Sequence, residues 1–184
     1  MWKASLLLAS LSCLSGCSYM LGVSALPTVD DNGEVGFEAR ITAGAGLTNA
    51  WTKQMEVPRR TGAVMIPASV GVRPGDHLCM PLSGGLGIAN LGDNPGELGF
   101  KTNVLGSGDA CSEQTNLLGG ALQLAPLFTL TRSDSSYMHQ YVTVGALMEA
   151  ALLEETEGDQ ETIGRFAFGP TLEFYGLAYW DIGM

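Results

Sequence analysis

Lysine and arginine supply only 9 of the 184 residues, against 19 aspartates and glutamates, and there are only two histidines. So thin a basic complement excludes nucleic acid, which needs a cationic surface, and it excludes electrostatic docking on anionic lipid. Charged residues of both signs make up 15% of the chain, against roughly 25% in ordinary soluble domains. No apolar run reaches the roughly 20 residues of a membrane helix, and no internal repeat is visible.

Chemistry is missing as well. Catalysis by a nucleophile needs a base beside it, and neither His77 nor His139 lies in a nucleophile motif. Ser107, in Gly106-Ser107-Gly108, lacks the strand–elbow–helix frame of a hydrolase and reads as loop. Gly84-Gly85-Leu86-Gly87 lacks the spacing that cradles phosphate. Glu154-Glu155 and the acids at Glu157, Asp159 and Glu161 read as a solvated turn, with the ligand order of a calcium loop absent. Arg59-Arg60 reads as a surface pair. The sequence therefore predicts no enzyme, no cofactor and no metal.

What is present begins at the first residues. Met1-Trp2-Lys3 is a short positive start, and Ala4 to Leu14 is an apolar, small-residue stretch of signal-peptide length. It ends in Leu14-Ser15-Gly16-Cys17, which resembles the lipobox of bacterial lipoproteins. The resemblance covers about the first eighteen residues. It implies that residues 1–16 are removed as a signal peptide and that Cys17 carries a diacylglyceryl group and an acylated amino group, palmitate being the common chain. One acyl chain binds membranes only marginally at about 0.8 kcal/mol per buried methylene, whereas two or three hold firmly. Ser18 after the cysteine implies, by the same resemblance, the outer membrane as the address.

Processing would leave 8 basic and 19 acidic side chains, net −11, since residues 1–16 contain Lys3 and no acid. With Cys13 removed and Cys17 alkylated, Cys79 and Cys111 remain, and in an oxidising compartment they most simply make one disulfide. Metal ligation at Cys79 with His77 is the alternative. Residues 17–33, with Pro27 and Asp30-Asp31-Asn32-Gly33, read as a lipidated N-terminus and tether, leaving 34–184 as a single domain.

That domain has period two. From Val35 to Leu47 the odd positions are Val35, Phe37, Ala39, Ile41, Ala43, Ala45 and Leu47, and the even ones are Gly36, Glu38, Arg40, Thr42, Gly44 and Gly46, which is a strand pattern. It returns at Val64–Val72, weakly at Leu86 and Ile88, and again at Leu98–Val104, Leu118–Leu130, Val142–Leu152 and Phe166–Phe174. Ala146–Glu155 has strong helix formers and no β-branched residue. It is read as strand because Tyr141-Val142-Thr143-Val144 precedes it, with a helix over 146–156 left open. Evenly spaced strands predict an all-β protein. Six are firm and one or two weak; eight is the nearest closed number, reached if Leu177–Ile182 is a separate strand or His77–Pro81 pairs after its turn.

The reverse face separates two architectures. It holds mostly Gly, Ala and Thr, with isolated charges at Glu38, Arg40, Glu97, Lys101, Glu149, Arg165 and Glu173. Small residues suit a crowded interior, and charges of both signs can pair there. This predicts an antiparallel barrel of about eight strands with Glu38, Arg40, Lys101, Glu149, Arg165 and Glu173 as lumen charges and the apolar face toward lipid. Aromatic residues at strand ends (Trp51, Tyr137, Tyr141, Tyr175, Tyr179, Trp180) would form interfacial girdles. The mature part weakly resembles small outer-membrane barrels, although it ends in Met184 rather than an aromatic residue. The expected role is structural or interactive at the cell envelope, toward a protein or lipid partner, with no general pore and with loops 49–61, 92–96 and 132–140 carrying contacts. The alternative is a soluble sandwich or lipocalin-like barrel tethered by Cys17, its apolar face inward around an apolar ligand or turned to a protein partner.

Overall fold

The computed structural model describes residues 16–48, 60–74, 78–111, 117–135, 138–156 and 162–179. Eight antiparallel strands follow one another around a closed barrel: β1 (Gly16–Asp30), β2 (Val35–Thr48), β3 (Arg60–Val72), β4 (Cys79–Gly92), β5 (Leu98–Cys111), β6 (Leu117–Asp134), β7 (Met138–Glu155) and β8 (Thr162–Tyr179). Each pairs with its sequence neighbour, and β1 pairs with β8 to close the ring. No strand is left as an edge, which is how a barrel avoids the unpaired backbone of an open sheet.

The register fixes the barrel's width. An inward row runs from Ser18 through Gly46, Met65, Gly87, Asn103, Gln123, Glu149 and Ala167. It returns to β1 at Thr28, ten residues along the strand from its start. Stagger of this size in eight strands belongs to tilts of roughly 35–45° and an interior that side chains can fill.

Alternation decides which side chains go where. Every strand carries large apolar residues that point out, for example Val23 on β1, Ile41 on β2, Ile66 on β3, Ile88 on β4, Val104 on β5, Leu122 on β6, Leu152 on β7 and Phe168 on β8. Charged and small residues point in. The alternative of an apolar face lining a soluble core is thereby overturned, as is the sandwich.

Four expectations are corrected. Residues 17–33 are no tether, because residues up to Asp30 are β1; its odd positions Tyr19, Leu21, Val23 and Val29 are exposed apolar side chains. This strand supplies the eighth, since Leu177 and Ala178 continue β8 and Cys79–Pro81 open β4. Ser107 lies inside β5 and is buried, not in a loop. Glu97 sits in the β4–β5 turn, where its carboxylate accepts from the backbone N–H of Asp93 at 2.9 Å. Residues 146–155 are strand throughout.

Two turns need a left-handed backbone and have glycine there, Gly33 at φ 81° and Gly96 at φ 85°. Prolines sit within strands despite lacking a donor. The β1–β8 ladder breaks between Ser24 and Thr28, around Pro27 and Pro170, and the β3–β4 ladder breaks at Pro67. Yet Pro27 still pairs with Phe37, Pro67 with Gly44 and Pro170 with Ala146. A strand residue aims both backbone polar groups at one neighbour, so each proline opens the ladder on one side only.

Tyr19 on the outer wall folds its ring over Gly176, its register partner, and over Phe174 at 5.9 Å. An aromatic ring covering a cross-strand glycine stabilises a sheet modestly, and we expect Tyr19→Ala to cost about 0.2–1 kcal/mol in chemical unfolding.

Candidate functional site

The inner face carries the residues that depart from ordinary protein surfaces. Arg40, on β2, places its guanidinium between two carboxylates. Its Nε donates to Glu38 Oε1 at 2.6 Å, and its Nη1 and Nη2 donate to the two oxygens of Glu149 at 2.5 and 3.1 Å. Glu149 Oε2 also accepts from Gln123 Nε2 at 2.6 Å, and Gln123 Oε1 accepts from Asn103 Nδ2 at 2.9 Å. All five are buried.

Nearer the ends of β1 and β8 where the chain enters and leaves the barrel, Lys101 pairs with Glu173. Glu173 Oε2 accepts from the Tyr175 hydroxyl at 2.5 Å and Oε1 accepts from Thr171 Oγ1 at 3.1 Å. Toward the opposite end, Asp109 Oδ2 accepts from both Arg73 and Arg165. Arg165 Nε and Nη2 and Asp109 Oδ1 have no protein partner, so this cluster is the least satisfied of the three.

Taken together, the three clusters hold four cations (Arg40, Arg73, Lys101, Arg165) and four carboxylates (Glu38, Asp109, Glu149, Glu173). The described lumen is thus balanced in charge. A lone buried ion is expensive, and a hydrogen-bonded pair removes most of that cost. Glycine makes room for the long polar side chains. Gly87 lies opposite Asn103 and Gly22 opposite Glu173; a Cβ at either would stand 2.9 Å from Asn103 Cγ or 3.1 Å from Glu173 Cγ. The glycine-rich reverse face is the floor on which this network lies.

Six charges expected in the lumen (Glu38, Arg40, Lys101, Glu149, Arg165, Glu173) are all buried inside. Sequence reading missed Arg73 and Asp109. Asp109 shares the parity of Lys101 and Asn103 on β5, a signal that was available; Arg73 follows the end of β3 and carried none. It also missed an inward apolar cluster including Met20, Leu26, Leu91, Leu127 and Leu177, which packs the space between the polar groups. Tyr141 and Tyr175 point inward and are fully buried, so neither joins an interfacial girdle. Trp51, Tyr137 and Trp180, together with the Tyr179 side chain, lie outside the described residues.

At the chain-terminal end a second network caps the lumen. Arg132 donates to Asp93 O at 2.9 Å and to Asp134 Oδ1 at 2.7 Å, and His139 Nδ1 lies 2.6 Å from the same Asp134 oxygen. Thr61 donates to Asp93 Oδ1 at 3.1 Å and lies 3.2 Å from the Tyr141 hydroxyl, over whose ring Arg132 is stacked at 5.5 Å. His139 is buried at the second position of β7. Of the loops expected to carry contacts, 49–59 lies outside the described residues. Within the third, Arg132–Asp134 end β6 and Met138–Gln140 begin β7.

Cys79 and Cys111 form a disulfide between the facing ends of β4 and β5. His77 and the acids at 157–161 lie outside the described residues; among the described ones no group of three or more His, Cys, Asp or Glu could hold a metal ion. Cys17 is a free thiol on the outer face, the second residue of β1. No protein-family model and no curated protein matches the chain.

Proposed function

We propose that this chain is an integral β-barrel protein of a bacterial outer membrane, lipid-anchored at Cys17, with a structural or interaction role at the envelope and no general pore. One observation carries the reading: large apolar side chains are exposed on every strand of the barrel while the Arg40–Glu149 and Lys101–Glu173 pairs lie inside. Exposed apolar patches of soluble monomers cover a few hundred Å², whereas here the apolar surface encircles the barrel. Strands of 13 to 18 residues exceed the 9–11 that a tilted membrane strand requires.

The lumen supports the absence of a pore. Arg40, Gln123, Glu149, Leu127 and Tyr175 all point into it and are at most 4% exposed, leaving water no wide path. The anchor rests on the lipobox resemblance and on the outward position of Cys17 beside the barrel end. The compact barrel should migrate faster on an SDS gel unboiled than boiled, and planar bilayers should show no porin-sized conductance. Equal mobility would remove the integral-barrel reading, and large stable currents would remove the claim that the lumen is closed.

A further inference from the structure

If Cys17 is processed as the lipobox implies, the acylated residue is itself part of the barrel wall. Cys17 pairs with Leu47 on β2 and Ala178 on β8, so no linker separates the lipid from the sheet. Its outward row continues through Leu47 to Val64 on β3 and Ile88 on β4. At about 4.7–4.9 Å per strand, Ile88 lies about 14 Å from Cys17. The stagger that brings the inward row from Ser18 back at Thr28 carries this row away from the chain-terminal rim as it crosses to β4.

An apolar groove of about 590 Å³ opens on the wall at that place. Val64, Ile88, Leu98, Phe100 and Pro126 flank it, and its floor is low because Gly62 lies opposite Asn90. We propose that this groove holds an acyl chain borne by Cys17, so that the lipid packs across β2 to β5 instead of floating free in the leaflet. The proposal rests on the lipoprotein reading above. Two features of the wall argue for the tethered chain as occupant. The row from Cys17 leads into the groove. A leaflet-deep chain, about half of a roughly 30 Å hydrocarbon core, also covers the distance to Ile88. Asn90, a polar side chain pointing outward in an apolar setting, offers the groove a hydrogen-bond donor for an acyl carbonyl.

The test uses the full chain, exported and processed in bacteria fed a fatty acid with a photoactivatable diazirine at its far end. Mass spectrometry of the Cys17 peptide first reads whether it is acylated; an unmodified thiol overturns the lipoprotein reading and this proposal with it. After irradiation of acylated protein, we expect Cys17 peptides joined through the chain to segments containing Val64, Ile88 or Phe100. We also expect several-fold loss of that product in Asn90→Trp, which fills the groove, and none in the wall control Phe166→Trp. Cross-links from acylated Cys17 spread evenly around the wall, or unchanged in N90W, would overturn the groove assignment and leave the anchor standing. A Cys17→Ala protein, which should give no joined product, separates the tethered chain from free phospholipid.

Discussion

Replacing Arg40 with methionine is expected to destabilise the barrel by about 3–5 kcal/mol, the usual cost of removing one partner from a buried ion cluster. The side chains of Glu38 and Glu149 are 0% and 1% exposed, and Arg40 forms an ion pair with each of them. Without it, Glu149 keeps the amide of Gln123, while Glu38 is left facing a closed lumen. The loss comes from stranded charge, not from missing volume, because methionine packs readily into irregular space. A triple variant that also carries Glu38→Gln and Glu149→Gln removes the charges together and should recover most of the stability. Urea unfolding of the protein in lipid vesicles measures both. If Arg40→Met alone costs under about 1 kcal/mol, the cluster is solvated and the lumen is open.

A second substitution separates lipid from water outside the wall. Leu86, midway along β4, is 64% exposed. If that exposure faces hydrocarbon, Leu86→Arg should cost about 2–4 kcal/mol, whereas the outward Glu154→Arg near the end of β7 should cost about 0–1 kcal/mol. If the wall faced water, both would fall within about 0.5 kcal/mol, as surface changes do. The contrast between two exposed positions matters more than either value, since it follows depth in the bilayer and nothing else.

Much of the fold was legible because a barrel writes itself with period two. Ile41, Ile66, Val104, Leu122 and Phe168 announced one surface. Glu38, Arg40, Lys101, Glu149, Arg165 and Glu173 announced the other. The disulfide followed from counting cysteines in an exported chain. The register of β4 and β5, which places Cys79 opposite Cys111, could not be read from the count.

β1 stayed hidden for a physical reason. Its inward positions include Met20 and Leu26, so large apolar residues fall on both faces and the alternation that marks a strand is blurred. Pro27 then argued for a linker, where the barrel in fact tolerates it by opening the ladder toward β8 alone. Tyr141 and Tyr175 were misplaced because rings near strand ends suit an interface equally well. Only the register shows that their parity matches Thr143 and Glu173 inside. The way Arg40 joins Glu38 to Glu149 depends on strands distant in sequence, and no local pattern encodes it.

All of these expectations depend on which solvent the outer residues meet. The direct measurement is nuclear magnetic cross-relaxation from lipid acyl methylenes to backbone amides of the protein in bilayers or nanodiscs. Strong transfer to outward positions on all strands, Val23, Ile41, Ile66, Leu86, Val104, Leu122, Val144 and Leu172 among them, is the predicted result. Transfer confined to the chain-terminal rim, from a protein that stays monodisperse in water after its lipid is removed, would contradict it.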